Sequence, residues 1–182
     1  MSFLESSVPR RIISGDSRPP LVVLMDACLE DDTRRAGIGA VRLDPRGKPE
    51  RYFAAAVPDD VLAVLQTETA HVITALEILP VFFVRHLWAD ELLHRRVFVM
   101  VDNNSARFAL IKASSPAPSI RRVLKRIVTF HARCPSFIWY GRVPSASNVA
   151  DGPSRGDVTI LQEVGAVADV IAPNMWRLAF GA

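Results

Sequence analysis

Two short apolar runs, Leu21 to Met25 and Val97 to Val101, each lead directly into an aspartate, Asp26 and Asp102. This repeated pattern constrains the chain more than any other feature. Each run is short, continuous and rich in strand-forming residues, so each reads as a buried strand. A carboxylate at the end of a buried strand is costly unless its charge is compensated. The carboxyl ends of strands in an α/β sheet are also where ligands commonly bind. If the two strands are neighbours, their like charges repel and raise one pKa unless a divalent cation sits between them. Mg²⁺ suits that position, because it takes oxygen ligands from a few carboxylates together with water and phosphate.

The remaining pattern builds a domain around these strands. Ala36 to Leu43 reads as a second strand, in which Gly37 and Gly39 permit close approach of another segment. Asp44-Pro45-Arg46-Gly47 reads as a turn into a third strand around Arg51 to Val57, which makes an antiparallel meander. From Thr67 onward Val72, Leu76, Leu79 and Phe83 recur at helical spacing, and Pro80 should kink or end that helix. Ile120, Val123, Leu124, Ile127, Val128 and His131 trace one face of a later helix, with Arg121, Arg122, Lys125, Arg126 and Arg133 off it. Phe137 to Val143 forms the last clear strand, and the final stretch holds a short helix near Trp176. The order implies an α/β domain with a mixed sheet.

A chain of 182 residues with 49% hydrophobic composition buries one sizeable core. We divide it into an irregular leader or linker at 1–20, a domain at 21–157 and a C-terminal extension at 158–182. The net charge of +3 is modest, but from Asn103 to Ala150 there is no Asp or Glu, whereas Arg107, Lys112, Arg121, Arg122, Lys125, Arg126, Arg133 and Arg142 all fall there. Such a localised basic surface suits nucleic acid, although a solvated outer face is the plainer reading of the helical part. Cys28 and Cys134 lack zinc-site spacing, no secretory signal opens the chain, and no apolar stretch reaches membrane-spanning length. The expectation is a soluble intracellular protein, of cytoplasm or nucleus, with no membrane partner.

Four segments together resemble the motifs of the ribonuclease H family. They are Leu24-Met25-Asp26-Ala27, Ile73 to Leu79 around Glu77, Val99-Met100-Val101-Asp102-Asn103-Asn104-Ser105-Ala106, and Val143-Pro144-Ser145 leading to Asn148-Val149-Ala150-Asp151-Gly152-Pro153-Ser154-Arg155. The wording of the last two is similar to the RNase H domains of reverse-transcriptase retroelements. The resemblance implies a mixed five-stranded sheet, an antiparallel meander plus two parallel strands, flanked by helices. It also implies a metal centre of Asp26, Glu77, Asp102 and Asp151 holding two Mg²⁺ ions, with Mn²⁺ as a substitute, that cuts the RNA strand of RNA/DNA hybrids. Asn103, Asn148, Arg155, Arg121, Arg122, Lys125 and Arg126 are then the expected nucleic-acid contacts. A fused or associated reverse transcriptase domain is the implied partner. Cellular members carry a loop histidine shortly before the last aspartate, where this chain has Ser145 and Ser147.

Other readings stand beside these. Glu68 rivals Glu77 as the ligand, and Thr74 with Glu77 could form a capping box. Asp151 could simply make a turn with Gly152-Pro153, and Arg155 could be a surface charge. Trp139 and Tyr140 read as core and rim residues of the last strand, Cys28 as a small buried hydrophobe, and Glu30-Asp31-Asp32 as a solvated acidic loop. Two other functions fit the same fold: a nucleic-acid-binding domain without catalysis in a larger ribonucleoprotein, and a DNA-directed nuclease of the transposase or resolvase type.

Overall fold

The two aspartate-bearing runs pair with each other. In the structure, a computed structural model that describes residues 17–30 and 35–180, the first belongs to β1 (Leu21–Glu30) and the second is β4 (Arg96–Val101). They run parallel, from Leu21 opposite Val97 to Leu24 opposite Met100. Antiparallel strands β2 (Arg35–Leu43) and β3 (Pro49–Ala56) complete the meander on one side of β1, and β5 (Phe137–Arg142) lies parallel to β4 on the other. The mixed α/β architecture expected from the element order is therefore present. The leader up to residue 16 and the acidic Asp31-Asp32 lie outside the described residues.

The sheet has six strands rather than five, in the order β5-β4-β1-β2-β3-β6. The added strand, β6 (Val167–Ala168), comes from the C-terminal extension and pairs parallel with β3. Two residues are too short to display any period, which is why the pattern conceals it. Arg51 on β3 makes ion pairs with Asp169 and Glu91, and Trp88 Nε1 donates to Asp169 Oδ2 at 2.8 Å, so the extension is tied to the sheet edge. A helix of the extension, α8 (Pro173–Phe180), inserts Trp176 into the core against Phe83. Residues beyond 157 thus share the main core.

Between β3 and β4 lie α1 (Asp59–Glu68), α2 (Val72–Leu87) and the single turn α3 (Ala89–Leu92). The helical pattern around Thr67 therefore belongs to two helices, and Glu68 and Glu77 are on different ones. Pro80 does not end α2, because every residue from Ala75 to Arg85 is buried. Burial of that many side chains outweighs the roughly 3 kcal/mol cost of an internal proline. After β4 come α4 (Asn104–Lys112) and α5 (Pro118–Arg133). Beyond β5 lie α6 (Asp151–Ser154) and α7 (Thr159–Glu163).

The large core packs α2 and α5 against one face of the sheet, through residues such as Val23, Met25, Phe53, Leu76, Phe83, Val99 and Leu124. A smaller cluster of Leu24, Val41, Tyr52, Val143, Ala150 and Leu161 covers part of the other face. The α5 stripe buries Ile120, Val123, Leu124 and Ile127, as its spacing predicts. No helix among the described residues is long and apolar enough to cross a membrane.

Candidate metal centre

The strand register brings the first two carboxylates together. Asp26 and Asp102 each lie two residues beyond the last parallel pair, Leu24 with Met100, so they stand side by side where the β1–β4 ladder ends. β1 itself does not stop at Asp26, as the sequence suggests. It continues to Glu30 because its antiparallel ladder with β2 persists, placing Asp26 opposite Gly39. The aspartate thus terminates one ladder from within another.

Glu77 joins them from the middle of α2. Carboxylate oxygens of Asp26, Glu77 and Asp102 all lie within 4.8 Å of one another. Asp26 and Glu77 are buried. Thr74 caps nothing here, because α2 begins at Val72 with His71 at its N-cap position. Glu68 ends α1 and accepts from Arg122 Nη2 at 2.8 Å with each of its oxygens. The structure therefore puts Glu77 in the carboxylate trio and Glu68 in an ion pair.

Burial, then the negative charges of Asp26 and Asp102, push the Glu77 carboxyl up to about 9, against the opposing pull of the Ala27 backbone N–H. Burial is also the main reason that Asp26 rises to about 6. A hydrogen bond from Ser154 opposes that rise, while Asp102 and Asp151 add to it. Glu77 Oε2 is buried without a hydrogen-bond partner in the protein. A buried orphan oxygen beside two further carboxylates is the donor set a hard divalent cation requires, so these residues fit a metal such as Mg²⁺.

These shifts set the pH dependence of the metal-free protein. Both folded values lie above the unfolded ones, 3.8 for Asp26 and 4.5 for Glu77, so the folded state holds more protons in between. The associated stability is complete below the unfolded values and is lost as pH rises through about 6 and then about 9. In chelator, the melting temperature should fall by about 5 °C or more between pH 5 and pH 8.5. Millimolar Mg²⁺ should remove most of that fall, as thermal denaturation monitored by circular dichroism can measure. A melting temperature that stays level or rises in chelator would contradict the coupling.

The segment after β5 supports the trio. Ser154 Oγ donates to Asp26 Oδ2 at 2.6 Å, and Asn148 Nδ2 donates to Asp26 Oδ1 at 3.2 Å and to the Met25 carbonyl at 2.9 Å. Asn148 Oδ1 in turn accepts from the Ala150 N–H at 3.2 Å. This buried amide is engaged within the protein, between β1 and the turn that leads into α6. Ser154 is a site residue that the motif contained without marking as such; its burial against Asp26 depends on α6 crossing β2. Ser145, in the region of the family's loop histidine, donates to Asp102 Oδ2 at 2.7 Å.

Asp151 stands apart from the trio. It opens α6, is about half exposed and accepts from Arg155 Nε at 3.1 Å. Its charge nevertheless reaches Asp26. Asn103 caps α4 by accepting from the Ala106 N–H at 3.0 Å. On α5, Arg121, Lys125 and Arg126 are exposed, whereas Arg122 is held by Glu68. The basic stripe is therefore partly neutralised by an acid from α1, which a count within Asn103 to Ala150 could not reveal.

No protein-family model and no curated protein sequence matches the chain. Solved structures do. LC11-RNase H1, isolated from compost by a metagenomic approach, superposes with a TM-score of 0.58 at 15% identity, covering 80% of this chain and 99% of its own. RNase H1 of the halophilic archaeon Halobacterium salinarum NRC-1 gives 0.59 at 15% identity, covering 76% and 96%. LC11-RNase H1 in complex with RNA/DNA hybrid gives 0.57 at 16% identity, covering 78% and 99%. At these identities the likeness is one of fold.

Proposed function

We propose that this chain, which has the fold of RNase H1, is a metal-dependent endonuclease that hydrolyses the RNA strand of RNA/DNA hybrids. The observation that carries this reading is the trio itself, with the orphan Glu77 Oε2 buried beside Asp26 and Asp102. The hybrid bound by LC11-RNase H1 supplies the substrate class.

In this reading Asp26, Glu77 and Asp102 hold the metal, and Asp151 completes the set from the exposed start of α6. Two bound Mg²⁺ ions, or Mn²⁺ in their place, would supply an activated water and stabilise the leaving oxygen. Water adds at phosphorus as the P–O3′ bond breaks, leaving a 3′-hydroxyl and a 5′-phosphate. Ser154 and Asn148 hold the Asp26 carboxylate in one orientation, and Ser145 does the same for Asp102. The exposed Arg121, Lys125 and Arg126 meet backbone phosphates, Asn103 and Arg155 line the approach, and 2′-hydroxyls distinguish the RNA strand. The Asn-Val-Ala-Asp-Gly-Pro-Ser-Arg wording at 148–155 supports a retroelement origin, with a reverse transcriptase as fused or associated partner.

The test is cleavage of labelled RNA/DNA hybrid, double-stranded RNA and double-stranded DNA in Mg²⁺, with Asp102→Asn as control. Hybrid cleavage that vanishes in chelator and in Asp102→Asn is the expected result. Hybrid binding without cleavage would favour a non-catalytic binding domain, and cleavage of the DNA duplex alone a resolvase-type enzyme.

A further inference from the structure

The sheet ends differently on its two sides. On one side stands β6, two residues long and too short to template another strand, whereas the other side ends on the six residues of β5. Phe137 N–H donates to the Arg95 carbonyl at 2.8 Å and Val143 N–H to the Val101 carbonyl at 3.1 Å, so the odd-numbered residues of β5 turn their backbone groups toward β4. Alternation along the strand then points the N–H and C=O of Ile138, Tyr140 and Arg142 outward. None of these groups has a backbone partner among the described residues.

Sheet edges are usually blunted by a proline, a lysine, a bulge or a covering element. β5 keeps an unbroken register with β4, and Phe137-Ile138-Trp139-Tyr140-Gly141 carries no charge before Arg142. Trp139 is 68% exposed, and Phe98, its register partner on β4, is 41% exposed. Gly141 lies on the same face two residues further on. The indole leans toward it, with Cδ1 4.0 Å from where a Cβ would stand, and the Met100 thioether floors the space, Sδ 2.7 Å from that point. A large aromatic side chain and a glycine two residues apart on one face are self-complementary when such a strand pairs antiparallel with its own copy.

We infer that β5 pairs antiparallel with β5 of a second copy of this chain, about a two-fold axis at Tyr140, and so joins two six-stranded sheets into one. The outward groups fix that register: Tyr140 faces Tyr140 of the second copy and Ile138 faces its Arg142, so every outward N–H and C=O is bonded. Trp139 then lies opposite Gly141 of the second copy and over its Met100 sulfur, a favourable contact for an aromatic ring. The two indoles become diagonal neighbours within reach of each other. The register also keeps the two Arg142 charges roughly 13 Å apart, beyond the screening length at physiological salt. With Phe98, Trp139 and Ile111, the last 53% exposed on α4 beside β5, the edge offers roughly 500 Å² per copy, about 1,000 Å² in all, the lower bound of a specific interface. The dimer is therefore weak and reversible. The pairing uses no residue of the carboxylate trio, and the inference stands independently of the nuclease reading.

The full chain in chelator, followed by sedimentation velocity up to about 1 mM, should show a reversible monomer–dimer equilibrium with a Kd on the order of 10–100 µM. Amide exchange read by NMR tests the register itself. The N–H groups of Ile138, Tyr140 and Arg142 should exchange about fivefold or more slowly at the highest concentration than in dilute solution, whereas those of Trp139 and Gly141, bonded to β4, should not change. Trp139→Lys places a charge on the edge, and Arg142→Pro removes an outward N–H without touching the β4 ladder. Each should weaken the dimer about tenfold or more while melting like the parent. A chain that stays monomeric at about 1 mM, a dimer of unchanged Kd in both variants, or a dimer in which the Ile138, Tyr140 and Arg142 amides are not slowed would each overturn the inference. Slow exchange of those amides at every concentration would overturn it in favour of a segment of the same chain lying on the edge.

Discussion

Glu77→Gln is expected to lower Mg²⁺-dependent hybrid cleavage by about 10³-fold or more and, in the same protein, to raise the metal-free melting temperature at pH 8 by about 5 °C. Glutamine keeps the size and an acceptor for the Ala27 N–H but cannot carry charge. The activity loss follows from removing a negative ligand oxygen from a set whose oxygens lie within 4.8 Å. The stability gain follows from sparing the folded state the proton that Glu77, held up to about 9 by burial and by Asp26 and Asp102, must take up on folding at pH 8. The opposite signs are the diagnostic part, because a merely structural residue would lose both together. Glu68→Gln is the matched control. It breaks a half-exposed pair with Arg122, costs about 1 kcal/mol or less, and should leave cleavage within about twofold. Cleavage that survives Glu77→Gln and disappears in Glu68→Gln would reverse the assignment.

Gly37→Ala should be the most damaging substitution that touches no carboxylate. A Cβ at Gly37 would overlap the Ser154 carbonyl oxygen, and one at Gly39 would come within 2.6 Å of the Ser154 nitrogen. Both obstructions are backbone, so α6 must move away from β2. That movement takes the Ser154 hydroxyl off Asp26 and disturbs the Cys28 thiol, which donates to the Ser154 carbonyl at 2.9 Å. We expect a loss of about 2–4 kcal/mol in urea denaturation. Cleavage should fall about tenfold or more at a temperature where the variant remains folded, since Asp26 keeps its charge but loses its orientation. Gly47→Ala is the comparison for backbone strain alone, because Gly47 has a φ of +84° with nothing near the added Cβ. Full activity in folded Gly37→Ala would show that the contact between α6 and β2 does not position the site.

The particular residues show how far local pattern reaches. Asp26 and Asp102 were legible because a charge directly after a buried run violates the economy of a core, and such a violation marks a site in one dimension. The α5 face was legible because a 3.6-residue period states which side is buried. Gly37 and Gly39 announced a close approach, though not by what. Glu77 was named only through resemblance to a known motif. Glu68, between Thr67 and Thr69, and Glu77, between Leu76 and Ile78, both fall in the run read as helical from Thr67, and that period does not say which of them faces the strands. The choice is made by the break between α1 and α2, which sends Glu68 toward Arg122 and Glu77 toward β1 and β4.

By itself, then, the sequence determined the strand character of β1 to β5, the buried face of α5, the two aspartates that follow buried runs and the glycine strand that something must cross. Each of these is encoded within a few neighbouring residues, through side-chain period, turn chemistry or a misplaced charge. Only the tertiary structure decided that Asn148 and Ser154 serve Asp26, that Arg122 is neutralised from α1, that a sixth strand joins β3, and that β5 stands at the sheet edge. Those outcomes depend on ladder register and on helices meeting across more than fifty residues of chain in several cases, such as Glu68 with Arg122 at a separation of 54. A local period carries no information about which distant segment will supply the partner.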